Sequence, residues 1–200
     1  MKSTKFSKNL WHDHYSQKAQ KEGYPARSVY KLQEIQKKFK ILSKNDHILD
    51  LGCAPGSWLI YAASQTGLKG EVVGIDLKSL KIKLPAKARF IQGDIFDLSL
   101  ETKELLNRKF DVVLSDMAPF STGNQFTDGV RSFQLCTEAL ALSEKVLKPG
   151  GHFICKIFQG EDFKLFSDMI KKQFKQLHIF KPKSSRKASR EIFTIGKNRR

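Results

Sequence analysis

Lys156 stands in the middle of an apolar run, Phe153-Ile154-Cys155-Lys156-Ile157-Phe158. Such a run reads as a strand buried on both faces. An ammonium group there loses most of its hydration, and burial favours the neutral amine. Lys156 is therefore a candidate base. The ordinary lysine pKa of about 10.4 means that its surroundings must favour the neutral form for that work. Asp76, Asp94 and Asp116 close three other apolar runs, "EVVGID", "ARFIQGD" and "VVLSD". Each alone suits a turn or a cap as well as a ligand. Lys31 interrupts the apolar face formed by Val29, Tyr30, Leu32 and Ile35, and Glu191 opens "EIFTIGK". Taken singly, both suit surface positions.

The elements that must position these groups follow from hydrophobic patterning. Seven segments read as strands: residues 47–52, 71–77, 88–94, 110–117, 151–158, 177–182 and 191–197. Helical patterns lie between most of them, at "RSVYKLQEIQKKF", "SWLIYAASQTG", "ETKELLNR", Asp128 to Leu147 and about Glu161 to Phe174. The signals Lys148-Pro149-Gly150 end the long fourth helix. Alternating strands and helices predict one α/β domain, a seven-stranded and mostly parallel sheet with helices on both faces. The short polar link from Pro182 to Arg190 makes the last strand antiparallel, because parallel pairing needs a long crossover. That topology places "FICKIF" beside "VVLSDM", and so Lys156 close to Asp116.

Ligands of open α/β sheets sit outside the carboxyl ends of the strands. The first strand ends in "DLGCAPGSW", where Gly52 and Gly56 permit a tight turn before Trp58 and the next helix. Asp76 follows Gly56 by twenty residues, at a place where a carboxylate can accept both hydroxyls of a ribose. Asp94 can accept an adenine amino group. Neither a G-x-G-x-x-G fingerprint nor a Walker lysine is present. A glycine turn followed by three strand-end acids thus indicates a nucleoside cofactor without a diphosphate, and S-adenosylmethionine fits best.

The chain carries 36 Lys and Arg against 20 Asp and Glu among its 200 residues, a net charge of +16. Such an excess suits a polyanion, with nucleic acid first. Basic residues crowd an N-terminal arm (residues 1–27) and the tail "KPKSSRKASREIFTIGKNRR". In the arm they alternate with Phe6, Trp11, Tyr15 and Tyr24, which can stack on bases or dock against the core. The first eight residues are expected to be mobile. No apolar run is long enough to span a membrane, and no secretory signal is expected. Cys53, Cys136 and Cys155 lack paired spacing, which predicts a reducing cytoplasm and neither disulfide nor zinc. "HDH" at 12–14 has no accompanying ligands, so no metal is expected.

Five segments, "GYPARSVYKLQEI", "DLGCAPGSW", "LSDMAP", "GGHFICKIFQGEDF" and "KPKSSRKASREIF", together resemble the FtsJ/RrmJ family of ribosomal-RNA 2′-O-ribose methyltransferases. The likeness runs in order from about Asp13 to Gly196. It implies a Rossmann-like class I S-adenosylmethionine-dependent methyltransferase domain over residues 28–200. It also implies a catalytic tetrad of Lys31, Asp116, Lys156 and Glu191, and cofactor contacts at Gly56, Trp58, Asp76, Asp94 and Asp116. The implied substrate is a uridine of large-subunit ribosomal RNA, met in an assembled particle by a monomeric enzyme. Three positions depart from the family pattern: Pro25, Cys53 and Ser57.

A ribose hydroxyl is a weak acid and a poor nucleophile, so methyl transfer gains from a base that removes its proton. In the expected division of labour Lys156 takes the proton, oriented by Asp116, while Glu191 holds Lys31 and Lys31 steadies the alkoxide. Three other readings compete. "DMAPF" is similar to the loop of adenine amino-group methyltransferases, which have no use for a lysine base. A transfer-RNA ribose methyltransferase keeps the chemistry. A non-catalytic ribosome-assembly factor would show decay of the tetrad or the glycine turn, and neither is decayed here.

Overall fold

The computed structural model describes residues 10–95, residue 104 and residues 107–200, with side chains from His14 onward. The N-terminal eight residues, most of "ETKELLNR" and the His12 and Asp13 side chains lie outside the described residues.

Five strands run parallel: β1 (His47–Leu51), β2 (Glu71–Asp76), β3 (Ala88–Gln92), β4 (Phe110–Ser115) and β5 (Leu147–Phe158). β7 (Glu191–Arg199) enters antiparallel between β5 and β6 (Phe174–Phe180), giving the order β3-β2-β1-β4-β5-β7-β6. Alternate strand residues face opposite layers. On one side Leu49, Val73, Val113, Phe153 and Cys155 pack under α4 (Gln125–Val146) and α5 (Phe163–Gln173). On the other, Ile48, Val72, Val112, Ile154, Phe193 and Ile195 meet α2 (Val29–Phe39) and α3 (Ser57–Gln65).

Four elements differ from the sequence pattern; one of them, β6, runs over Phe174–Phe180 where the pattern predicts 177–182. A helix, α1 (Leu10–Lys21), occupies the basic arm. Ala19 of α1, Val29 and Tyr30 form a small separate core. Tyr15 lies 5.3 Å from the Tyr30 ring, and Tyr24 packs on the same cluster. Docking on the core therefore accounts for both tyrosines. α4 begins at Gln125 rather than Asp128, because Asn124 caps it by accepting from the Phe126 and Thr127 amides at 3.0 and 3.1 Å. Asp128 instead turns back to accept from the Thr122 amide and the Ser121 and Thr122 hydroxyls, which ties down the β4–α4 loop. β5 begins at Leu147, directly after α4. The register jumps from Phe110↔Leu147 to Val112↔His152, so Pro149 and Gly150 (φ 80°) protrude as a bulge and the helix stop also starts a strand.

Candidate active site

The register decides who meets Lys156. Ser115 of β4 pairs with Cys155 of β5, so Asp116, the next residue, emerges beside Lys156. Glu191 opens β7 opposite Phe158, and Lys31 projects from α2, whose Leu32 and Ile35 are buried in the core. All four tetrad residues converge. Lys156 Nζ lies 2.8 Å from Asp116 Oδ1 and donates to the Asp116 carbonyl. Lys31 Nζ lies 3.0 Å from Glu191 Oε2 and 3.7 Å from Asp116 Oδ1. Lys156 is only 6 % exposed. Burial pushes the Asp116 carboxyl up, but the Lys156 and Lys31 ammonium groups and their hydrogen bonds outweigh it and hold it below the usual carboxylate range. Two cations and two anions sum to no net charge, which is what makes the cluster tolerable away from water. Phe193 lies under Lys31, 5.7 Å from Nζ, and Trp58 backs Phe193.

Asp116 also lines a cavity of about 510 Å³ at the carboxyl ends of β1, β2 and β4, with Asp76 and Asp94 on the same walls. Asp76 Oδ2 accepts from the Ala54 amide at 2.8 Å and Oδ1 from the Lys78 amide at 2.8 Å, so it braces the loops after both β1 and β2. Each carboxylate oxygen retains a second lone pair for a ribose hydroxyl. Three acids against one wall lysine, Lys78, disfavour a diphosphate and suit a cationic nucleoside. Gly52, at φ 71°, has no room for a side chain, since a Cβ would lie 2.4 Å from Met117 Cγ. These walls fit S-adenosylmethionine.

Gly56 and Trp58 do not line this cavity. Gly56, at φ 106°, turns the chain into α3, and a Cβ there would approach Ile82 Cδ1 to 2.3 Å. Trp58 is buried, with Nε1 donating to the Ser28 carbonyl at 2.8 Å. The Ser57 hydroxyl accepts from the Ala26 amide at 2.8 Å and donates to its carbonyl at 3.0 Å, stapling α3 to the arm. Sequence reasoning assigned nothing to Asp50. It is buried in β1, and its carboxyl is pushed well above the usual range by burial, then by Asp116 and Asp76. Its place inside the apolar run "HILDL" carries the same signal of burial that Lys156 gives in β5.

Asp76→Ala is expected to weaken S-adenosylmethionine binding roughly ten- to hundredfold, the worth of one or two hydrogen bonds to a charged group. Calorimetric titration checks this, and unchanged affinity would remove Asp76 from the ribose.

On the other side of the tetrad lies a second cavity, of about 520 Å³, lined by Arg27, Lys31, Phe158, Ser184, Arg186 and Glu191 among others. Arg27 donates to the Ser184 carbonyl at 2.6 Å and stands 5.2 Å from the Tyr15 ring. Burial, then the like charge of Arg186, lowers the Arg27 pKa. Ser121 lines both cavities. The tetrad thus forms the partition between an acidic nucleoside cavity and a basic pocket.

Known proteins resemble the chain over nearly its whole length. The chain is 56 % identical over 196 residues to a ribosomal RNA large subunit methyltransferase E of Desulfatibacillum aliphaticivorans, covering 98 % of this chain and 95 % of the relative. It is 46 % identical to the protein of the same name from Bdellovibrio bacteriovorus, covering 92 % and 95 %. The crystal structure of a ribosomal RNA methyltransferase from Plasmodium falciparum superposes with a TM-score of 0.78 at 33 % identity, over 88 % of this chain and 98 % of that one. Aeropyrum pernix fibrillarin, crystallised with bound S-adenosylmethionine, shares the fold at a TM-score of 0.59 and 15 % identity, over 84 % and 75 % of the two chains. The model of the FtsJ-like methyltransferases matches residues 24–199, and the chain belongs to that family.

Proposed function

We propose that the protein methylates the 2′-hydroxyl of a uridine ribose in large-subunit (23S) ribosomal RNA, with Lys156 as general base. The observation that carries this reading is the position of the Lys156–Asp116 pair between the two cavities. Asp116 faces the nucleoside cavity, while Lys31 and Glu191 face the basic pocket. The names of the relatives at 46–56 % identity support ribosomal RNA as the substrate.

S-adenosylmethionine supplies the electrophilic methyl group. The target nucleotide enters the basic pocket, where Arg27 and Arg186 offer charge to its phosphates. Lys156 rests as the ammonium partner of Asp116; once it has released that proton to solvent, the neutral amine receives the 2′-hydroxyl proton on Nζ as the oxygen attacks. Asp116 holds that amine toward the cofactor cavity. Lys31, kept in place by Glu191, places a cation beside the oxygen as negative charge develops there. Alignment of the hydroxyl with the methyl carbon, set by the walls on both sides, contributes the rest. Three buried free cysteines support a reducing, cytoplasmic setting.

Ribose methylation protects the adjoining phosphodiester from alkali, because the 2′-oxygen can no longer attack it. Alkaline ladders of large-subunit RNA from cells with and without the protein are expected to differ by one missing cleavage, after a uridine. Identical ladders, or a methyl group found on a base, would refute the assignment.

A further inference from the structure

Phe158 separates the basic pocket from a further recess of about 340 Å³ and lines both. That volume falls in the roughly 300–1,000 Å³ range of ligand pockets. The walls come from the first turns of α4, the end of β5 and the start of α5. Three rings converge on it: Phe126, Phe133 and Phe158. Phe133 is pinned edge-on against Phe166, with centroids 6.5 Å apart, so part of the wall is fixed by the core. Phe126 is the opposite case, a phenylalanine left 70 % exposed.

Two kinds of charge frame the rings. Arg190 stands at the rim, where a terminal nitrogen donates to the Gln125 carbonyl at 2.6 Å and lies 3.9 Å from where a Gly129 Cβ would be. Glu161 and Asp162 are on the wall as well. Asp162 occupies the N-cap position of α5 but makes no side-chain capping bond. Two acids inside an otherwise basic groove repel phosphate, so they call for a ligand that donates hydrogen bonds.

Distance supplies the remaining argument. Phe158 follows Lys156 by two residues on the same face of β5, about 6.6 Å along the strand. It also pairs directly with Glu191. The recess itself opens on the α4–α5 side, where Ile157 and Phe133 belong to the core. It adjoins the basic pocket across Phe158 at the end of β5, so a nucleotide seated in that pocket has its neighbour here. We infer that the recess binds the nucleobase adjoining the methylated nucleotide. The base stacks on Phe126 and Phe158, Arg190 faces the linking phosphate, and Glu161 and Asp162 accept from an exocyclic amino group. Base stacking on exposed aromatics is a common mode of single-strand recognition. Carboxylates accept only, so cytosine, with its amino group, is favoured over uracil, which presents a carbonyl at the same place. The inference rests on the RNA-methylation reading above.

Heptacytidylate and heptauridylate serve as probes, with dissociation constants read by fluorescence anisotropy. Phe126→Ala is expected to weaken both roughly tenfold, the worth of one lost base stack. Glu161→Ala/Asp162→Ala removes repulsion from both probes alike, but it shifts their affinity ratio about fivefold toward uridylate by deleting the amino acceptors. On large-subunit particles from cells lacking the protein, Phe126→Ala raises KM about tenfold and leaves kcat within about twofold. Wild-type binding and wild-type KM in Phe126→Ala overturn the subsite while leaving the methylation reading intact. An unchanged cytidylate-to-uridylate ratio in the double variant overturns the amino-group reading. A wild type that methylates no ribosomal RNA overturns the proposed function, and with it the assignment of the recess to the neighbouring base, whatever the probes show.

Discussion

Lys156→Ala is expected to lower methyl transfer roughly 100- to 10,000-fold, the usual worth of a positioned general base, with S-adenosylmethionine affinity kept within about threefold. The selectivity of the loss follows from position. Lys156 is not among the walls of the nucleoside cavity, whereas its partner Asp116 is. Removing the amine takes away the proton acceptor without stripping any cofactor contact. The hydroxyl must then lose its proton to water, which the Lys31 cation alone does not remedy. Single-turnover rates at saturating cofactor separate chemistry from binding. Transfer within tenfold of wild type would end the general-base role.

Asp116→Ala is expected to cost both activity and stability. Removing one partner of a buried ion pair typically costs about 3–5 kcal/mol, because the remaining charge is left uncompensated. Here two ammonium groups depend on one carboxylate, Lys156 at 2.8 Å and Lys31 at 3.7 Å. Lys31 keeps Glu191 at 3.0 Å, so the uncompensated charge falls on Lys156. Urea denaturation should show the loss as a lower midpoint. The double variant Asp116→Leu/Lys156→Met replaces the pair by apolar groups of similar size. It should recover most of the stability, since such swaps are often neutral, and none of the methyl transfer. A single variant as stable as wild type would mean that the pair is well solvated. Activity in the double variant would move the chemistry elsewhere.

The two variants test different features. The first tests what the amine does to a proton, and the second tests what keeps an amine in an apolar strand at all.

Most of the scaffold was legible before any coordinates. The β5 run around Lys156, the β1 run "HILDL" and the helical stripe Val29, Leu32, Ile35 each announce a buried face through local periodicity. The strand-end acids were legible too, because carboxyl ends of parallel strands share one edge whatever the detailed register. α1 was not legible, since "LWHDHYSQKAQK" shows no continuous apolar stripe and its described apolar docking rests on two residues, Tyr15 and Ala19. The start of α4 was misplaced because Asn124 and Asp128 are both cap-type residues, and only the fold shows which one caps.

The tetrad divides along the same line. The sequence by itself determined that Lys156 is buried, that Asp76, Asp94 and Asp116 sit at strand ends, and that the chain is strongly basic. The four tetrad positions as a set came from likeness to a family, because Lys31 and Glu191 are 160 residues apart and look unremarkable alone. Only the tertiary structure decided that β7 slots between β5 and β6, which carries Glu191 to Lys31. It also moved Trp58 into the core and joined Arg27 to Ser184 across 157 positions to build the basic pocket. Hydrophobic period is a local property of the chain. Strand order and register depend on every element at once, and they determine which charges share a wall.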